Sequence, residues 1–530
     1  MHLISMMALP AVLFFAGCAT TSTHGATCMK TDIAVKEAIP NPELWFEGTV
    51  EQAFAEAREL KRPIFLFWNA AWCPPCNEVK SELLSKAQFP ELMKPFVPVY
   101  LDGDSERAQH WGEKLNASGY PTMLVLSAEG KEIARVLETV NMGEFEAALS
   151  AALSANRPLA ETIELARSGK AAESDWRLIA LSNWEALNVA GADLLKLHKD
   201  MADGVPENMV KERALLAGRL LDAAAANGRK IDAQVYLDRI FAGLEAIHAA
   251  RATIISPSMK NIIPWLHRTP SGIEYNALKA RWLAAAAVLE ADETLSVANR
   301  LSAAYPALAF NQFEHPKGPV DAAVRDQIVA AAAKADARAS TPYQRKSVLS
   351  WAASLLGSVG EFDAARKLLD KEFEVTDTPW YYASAHAGLE EKAGNQAAAL
   401  KWSEKARVFA KGRATKLQWI VTDLAAAAKV SAANERHVAQ LTKEYYAIAF
   451  ELEDGFSGRN AKRANAVADV LKGFEKGGPV ANVIAAYAAD CERGLSKDGS
   501  KCKNHFAGLV LKDKKAKPPS SSSCDGSCPM

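Results

Sequence analysis

The stretch that decides the fold reads Pro63-Ile-Phe-Leu-Phe-Trp-Asn-Ala-Ala-Trp-Cys-Pro-Pro-Cys-Asn-Glu-Val-Lys-Ser-Glu-Leu-Leu84. Its apolar beginning predicts a buried strand over 64–68. The segment 77–84 carries apolar residues at helical spacing and predicts a helix that begins near Pro75. Cys73 and Cys76 therefore lie at a strand-to-helix junction, with the first thiol at the N-terminus of the helix.

A thiol at the start of a helix is chemically distinctive. The positive end of the helix dipole favours thiolate over thiol, and a thiolate with a second thiol three residues away can exchange disulfides with another protein. We predict that Cys73 is an exposed nucleophile and that Cys76 resolves the mixed disulfide, so that the two form a redox-active disulfide. A structural disulfide and a zinc half-site are the alternatives, although no second cysteine or histidine pair lies nearby in the sequence. We expect no metal and no cofactor.

Length and charge narrow the range of functions. The chain has 530 residues, enough for about two to four domains. Its 62 basic and 63 acidic residues give a net charge of -1, which provides no overall attraction to nucleic acid. The ten histidines show no metal-ligand spacing, and there is no glycine-rich phosphate-binding motif. We expect no nucleic-acid partner.

The first 17 residues have the features of a targeting segment. Residues 6–17 are apolar, too few to span a bilayer but typical of a signal-peptide core, and they lead into Cys18 through Phe15-Ala-Gly. This ending resembles a bacterial lipobox, which implies cleavage before Cys18 and lipidation of that residue. Ala19 then implies the outer membrane, with the protein facing the periplasm. Plain secretion and a cytosolic location are the alternatives. The polar, proline-punctuated residues 18–42 predict a tether.

Residues 43–155 alternate between helical and strand patterns. The predicted strands are 64–68, 96–101, 122–126 and 132–137, and the predicted helices are 50–60, 75–86, 105–116 and 142–153. The βαβ beginning requires parallel strands, whereas the short connection at 127–130 is typical of an antiparallel hairpin. The segment therefore predicts an α/β domain with a mixed sheet and helices on both faces.

This segment resembles the thioredoxin family in Phe67–Cys76 (Phe-Trp-Asn-Ala-Ala-Trp-Cys-Pro-Pro-Cys), in Tyr100-Leu-Asp102 and in Gly119-Tyr-Pro-Thr122. The resemblance covers about residues 43–155 and implies a thiol–disulfide oxidoreductase of the protein-disulfide reductase type. It implies that Pro121 is cis and lies against the sulfur atoms, that Tyr120 presents its backbone to a docked substrate, and that Trp72 shapes the docking surface. An ordinary turn proline and a core tryptophan are the alternatives.

Two positions depart from the family. Thioredoxins carry a buried aspartate six residues before the nucleophile, where this chain has Phe67, and the lysine that pairs with it aligns near Pro98. The resemblance therefore implies a slower resolving step, or a different base such as Glu78 or Glu82.

The character of the chain changes over residues 160–510. Alanine runs occur among Leu, Glu, Lys and Arg, and proline or glycine breakers divide the segment into predicted helices. The pattern at 355–367 recurs at 389–401 with an offset of 34, and residues 220–237 are a degenerate third copy. This period resembles a tetratricopeptide repeat. It implies a large all-α helical-repeat region whose concave face binds a partner.

The remaining cysteines fall near the C-terminus, apart from Cys28 in the tether, which is free or intermolecular. Cys491 and Cys502 flank a short Gly- and Lys-containing loop and are candidates for a structural disulfide. Residues 511–530 predict a disordered tail that carries the thiols Cys524 and Cys528. That pair can be a shuttle for Cys73, a metal-trapping end or a passive disulfide.

Together these features predict a membrane-anchored thiol–disulfide oxidoreductase with a helical region for partner binding. Its expected partners are client protein thiols or disulfides, a membrane thiol reductant and the lipid anchor. The sequence leaves open whether it reduces, oxidises or isomerises. The alternative is a non-catalytic scaffold lipoprotein whose α/β domain is a docking or redox-sensing module.

Overall fold

The computed structural model describes residues 39–513 apart from 118, 140, 185–186, 188–190, 269–273 and 431–434. The predicted signal peptide and lipidation site Cys18, most of the tether with Cys28, and the tail thiols Cys524 and Cys528 lie outside the described residues, and those predictions stay predictions.

The N-terminal part contains a four-stranded mixed sheet. Its strands are β1 (Ile64–Asn69), β2 (Val97–Asp102), β3 (Thr122–Leu126) and β4 (Glu132–Val136). The order across the sheet is β2-β1-β3-β4, with β1 parallel to β2 and antiparallel to β3, and β3 antiparallel to β4. The predicted mixed sheet is confirmed, including the parallel pair and the closing hairpin.

Strand β1 is buried on both faces, as its uninterrupted apolar run predicts. Phe65 and Phe67 pack on one side with Phe89 and Phe145. The alternate residues Ile64, Leu66 and Trp68 belong to a second cluster on the other side. Side chains alternate between the faces of a strand, so one short segment supplies the centre of both layers.

Helices cover both faces of this sheet. They are α1 (Val50–Leu60), α2 (Pro74–Val79), α3 (Phe89–Met93), α4 (Glu106–Lys114) and α5 (Met142–Ala155), with a 3-10 turn at Pro42–Leu44. The single helix predicted over 75–86 is wrong in detail, because α2 gives way to a π-helical segment at Lys80–Leu84. Thr49 and Asn141 begin α1 and α5 with complete capping boxes, which satisfy backbone N–H groups that have no partner within the helix.

The described residues that follow are predominantly helical, and the predicted all-α region is confirmed. Its helices, α6 to α26 in order, are Leu159–Arg167, Glu173–Ala180, Gly191–Gly204, Val210–Ala226, Ala233–Ile240, Leu244–Ala249, Arg251–Ile254, Met259–Arg268, Tyr275–Ala291, Val297–Ser302, Tyr305–Glu314, Ala322–Arg338, Pro342–Ser358, Phe362–Val375, Pro379–Lys392, Gln396–Phe409, Arg413–Val430, Glu435–Glu451, Gly458–Leu471, Pro479–Glu492 and Gly499–Ala507.

The repeated sequence pattern corresponds to two consecutive helix pairs, α18 with α19 and α20 with α21. Gly360 and Gly394 occupy the equivalent turns with φ of 85° and 82°, a left-handed conformation that glycine adopts without a steric penalty. Gly357 lets α18 approach α20, since a Cβ there would lie 2.5 Å from Leu389 Cδ1. The degenerate copy is also a helix pair, α9 and α10, with Gly228 at its turn.

The helical region packs directly on the α/β part, and all the described residues belong to one compact unit. The backbone of 181–183 bonds to the outer edge of β4, with Leu137 N–H donating to the Leu181 carbonyl at 3.0 Å. Helix α18 lies against α2. In the part of the chain that the structure describes, no helix is both long enough and apolar enough to cross a bilayer.

Candidate active site at the start of helix α2

Cys73 occupies the N-cap position of α2. Its backbone is extended, with φ of -77° and ψ of 120°, and its Sγ accepts a hydrogen bond from the Cys76 N–H at 3.4 Å. The sulfur thus takes the place that a serine or aspartate oxygen takes at other helix starts. Pro74 and Pro75 follow it, where the missing N–H groups would have no partner within the helix.

Asn77 holds this junction in place. Its Nδ2 donates to the carbonyl oxygens of Ala71 at 2.9 Å and Cys73 at 2.8 Å. The side chain is fully buried, so these bonds are costly to lose. The sequence reasoning missed Asn77, although its place directly after Cys76 was the available signal.

Cys76 lies beneath the first turn with no exposed surface. Burial raises the pKa of its thiol well above the ordinary value, and the hydrogen bond with Cys73 adds to that rise. Cys76 therefore stays protonated while the neighbouring sulfur reacts. The two thiols have different environments, which suits a nucleophile and a resolving partner.

The loop before β3 meets the first thiol. The Tyr120–Pro121 peptide bond is cis, as the resemblance implies, and the Cys73 thiol donates to the Tyr120 carbonyl at 3.6 Å. The Tyr120 ring packs on Trp68 at 4.3 Å and on Trp72 at 5.9 Å between centroids. The structure therefore brings together the five residues predicted for catalysis, Trp72, Cys73, Cys76, Tyr120 and Pro121.

A thioredoxin-like family model matches residues 45–128. No curated protein matches the chain. The match spans the sheet as far as β3 and includes the thiol pair and Pro121, so a redox role is consistent with it at the level of the family.

The exposed position predicted for Cys73 is wrong. Cys73 is 4% exposed and Trp72 is 7% exposed, because the helical region packs over this edge of the thioredoxin-like domain. Trp72 stacks on Tyr381 of α20 at 5.8 Å and contacts Trp419 of α22 edge-on at 6.0 Å. Its Nε1 donates to Thr415 Oγ1 at 3.3 Å.

Neither glutamate considered as a replacement base is seen bonded to a thiol among the described contacts. Glu78 accepts from Ser296 and from Asn299 Nδ2, the latter at 2.7 Å, and so joins the thioredoxin-like domain to the helical region. Glu82 forms an ion pair with Lys86 at 3.1 Å.

The charged group that does act on the buried thiol is Lys80, which the sequence reasoning missed. It lies four residues after Cys76, is 4% exposed, and places its ammonium 6.0 Å from the Tyr100 ring and 5.7 Å from the Tyr343 ring. Its charge lowers the pKa of Cys76, opposing the larger effect of burial. A cation here favours the Cys76 thiolate that the resolving step requires.

The remaining cysteines separate clearly from this site. Cys491 on α25 and Cys502 on α26 have sulfur atoms 2.15 Å apart, so the structure brings together the pair expected to form a structural disulfide. Within the described residues, no cluster of three or more His, Cys, Asp or Glu side chains is placed to hold a metal ion.

Asp104 lies between the two parts of the protein. Its carboxylate accepts from Trp72 Nε1 at 3.4 Å and from the Thr415 hydroxyl. Burial raises the pKa of this carboxyl from 3.8 to about 7, and the neighbouring Asp102 contributes. The loop that follows β2 is therefore a contact between the thiol edge and the helices.

We expect Asp104→Asn to stabilise the protein at high pH and to leave it unchanged at low pH. The pKa of the Asp104 carboxyl is higher in the folded state than in the unfolded state. Its contribution to the free energy of unfolding is therefore complete below the unfolded-state pKa and is lost as the pH rises through the folded-state pKa. Asparagine is neutral throughout and keeps the acceptor oxygen. The gain should be near zero at about pH 4 and about 1–3 kcal/mol at about pH 8, allowing for partial exposure. Urea unfolding at the two pH values measures it, and a pH-independent difference would contradict the prediction.

Proposed function

We propose that this protein is a thiol–disulfide oxidoreductase that acts on protein disulfides through Cys73 and Cys76. The observation that carries the proposal is the arrangement of the two sulfurs. Cys73 Sγ is held at a helix start against the Tyr120 carbonyl, and Cys76, one turn further on, is a buried thiol whose pKa is raised by burial. The match to a thioredoxin-like family model over residues 45–128 supports the same chemistry.

In the reducing direction the reaction has two steps. The Cys73 thiolate attacks one sulfur of the client disulfide, the client S–S bond breaks, and the second client sulfur leaves as a thiolate. Cys76 then loses its proton and attacks the Cys73 sulfur, which releases the client thiol and leaves a Cys73–Cys76 disulfide. Two electrons pass to the client, and a thiol reductant in the membrane must return the pair to the dithiol. The same steps in reverse oxidise a client.

The proposed location is the periplasmic face of the outer membrane, with a lipid on Cys18 and a tether leading to the folded part. Its support is the lipobox-like sequence before Cys18 and the apolar run 6–17. Disulfide exchange suits such a compartment, because thiol pairs are not held uniformly reduced there.

The helical region is proposed to bind the partner. The helix pairs α18–α19 and α20–α21 resemble tetratricopeptide repeats in period and in their turn glycines. Repeat arrays of this kind present extended surfaces to other proteins. A scaffold without catalysis is the second candidate, and the near-complete burial of Cys73 favours it.

The deciding experiment uses Cys76→Ala and a short peptide that contains one disulfide. Without the resolving thiol, the mixed disulfide between Cys73 and the peptide should accumulate and appear in intact-protein mass spectrometry as a covalent, reductant-sensitive adduct. The matched control is Cys73→Ser combined with Cys76→Ala, which keeps Cys28, Cys524 and Cys528, so that an adduct at any of those cysteines appears equally in both proteins. Cys76→Ala should form an additional adduct at Cys73, located by peptide mapping. No additional adduct in Cys76→Ala would favour the scaffold. The same trap in cell extract then identifies the client.

A further inference from the structure

The helical region covers the thiol edge of the thioredoxin-like domain from several directions. Trp72 is packed between Tyr381 and Trp419. Burial raises the pKa of the Tyr381 phenol to about 12. Both thiols lie close enough to Tyr381 to contribute to that rise. Helices α20 and α22 therefore form one side of the site itself.

Further contacts close the same edge around Asp104 and Tyr120. Gly412, in the loop before α22, approaches Asp104 so closely that a Cβ would lie 2.8 Å from the Asp104 carbonyl oxygen. The guanidinium carbon of Arg459 on α24 lies 4.1 Å from the centre of the Tyr120 ring. A folded protein would need a broad contact patch to dock here, and these contacts occupy that area.

Some of the residues next to the sulfur remain accessible to solvent. Pro75 and Gly119 are exposed, and Pro74, Tyr120 and Pro121 are half-buried. The accessible surface near Cys73 is thus contributed by the start of α2 and by Gly119, Tyr120 and Pro121. A single extended chain needs little lateral room, because neighbouring strands lie about 4.8 Å apart.

We propose that Tyr381, Thr415 and Trp419 are specificity-determining residues that restrict Cys73 to disulfides on extended, unfolded chain segments and exclude disulfides on folded surfaces. This selectivity rests on the proposed exchange activity, and it comes from the helical region rather than from the thioredoxin-like domain. Cys73 and Cys76 carry out the two-step exchange described above, and the three residues from α20 and α22 decide which disulfides reach Cys73.

The test compares one chemical probe in two settings. A thionitrobenzoate mixed disulfide is placed on a cysteine of a short linear peptide and on a surface cysteine of a folded protein. Attack by reduced Cys73 on the probe cysteine expels coloured thionitrobenzoate, and Cys76 then releases the probe thiol, so no other reductant is needed. The full-length protein should react faster with the peptide than with the folded probe by about 100-fold or more, a difference of about 2.8 kcal/mol.

The substitution Thr415→Asp is designed to separate helix α22 from the thioredoxin-like domain. Thr415 is the third residue of α22 and donates to Asp104. A carboxylate in the first turn suits the helix itself but faces the Asp104 carboxylate across the contact. The rate with the folded probe, relative to the rate with the peptide, should rise about tenfold or more at about pH 8. Thr415→Ser should behave like the parent, and adding Asp104→Asn to Thr415→Asp should reverse the gain.

The proposal would be overturned if the parent protein reacted at similar rates with the two probes. It would also be overturned if a folded Thr415→Asp protein kept the parent's ratio of peptide rate to folded-probe rate. If neither probe reacts, the proposed exchange activity is wrong. Alkylation of Cys73 then tests separately whether the helices restrict access to this thiol. N-ethylmaleimide should then label Cys73 faster than a maleimide that carries a long polyethylene glycol chain, with the gap reduced in Thr415→Asp. Equal labelling by the two reagents would overturn the selection.

Discussion

Cys73→Ser should abolish turnover of a peptide disulfide, lowering the rate by at least about 1,000-fold in an assay with excess dithiol as the reductant. Serine keeps an acceptor atom for the Cys76 N–H, which Cys73 Sγ accepts at 3.4 Å, so the helix start should remain intact. The change removes only the sulfur that attacks the disulfide. The buried Cys76 cannot replace it, because its thiol is fully enclosed and its pKa is raised.

The control for this variant is its thermal unfolding. The midpoint should stay within a few degrees of the parent, since the substitution exchanges one small side chain for another at a site with few bonds. Full turnover in a folded Cys73→Ser protein would show that the reaction runs through other groups, and the assignment of the nucleophile would then be wrong.

Local patterns predicted the α/β part well. Strands β1 and β3 and helices α1 and α5 lie within two residues of the predicted bounds at each end, because each has a clear apolar pattern or a strong cap in the sequence. The π-helical segment at Lys80–Leu84 was not predictable in the same way, because its apolar spacing is that of an α-helix.

The surroundings of the thiols were only partly predictable. Lys80 follows Cys76 by four residues and so shares its helical face, which is a signal that the sequence carries. The burial of Cys73 had no local signal. Trp72 and Thr415 are 343 residues apart in the chain, and only the packing of α22 onto the thioredoxin-like domain brings them together.

Arg251→Ala should lower the free energy of unfolding by about 3–5 kcal/mol. Arg251 on α12 is 4% exposed and donates to both carboxylate oxygens of Glu144, at 2.9 Å and 2.6 Å. It also donates to the Thr139 carbonyl across the same junction. Alanine would leave these acceptors without their cation in a largely buried contact, and urea unfolding measures the loss.

Two matched variants separate charge from packing at this junction. Arg251→Lys keeps the charge but cannot make the bidentate contact, so we expect an intermediate loss. Arg251→Met combined with Glu144→Gln removes both charges and keeps most of the volume, and it should recover most of the stability, because the cost of breaking a buried pair comes mainly from the charge that remains. If Arg251→Ala and the paired neutral variant are equally unstable, packing rather than the ion pair holds α12 against the thioredoxin-like domain.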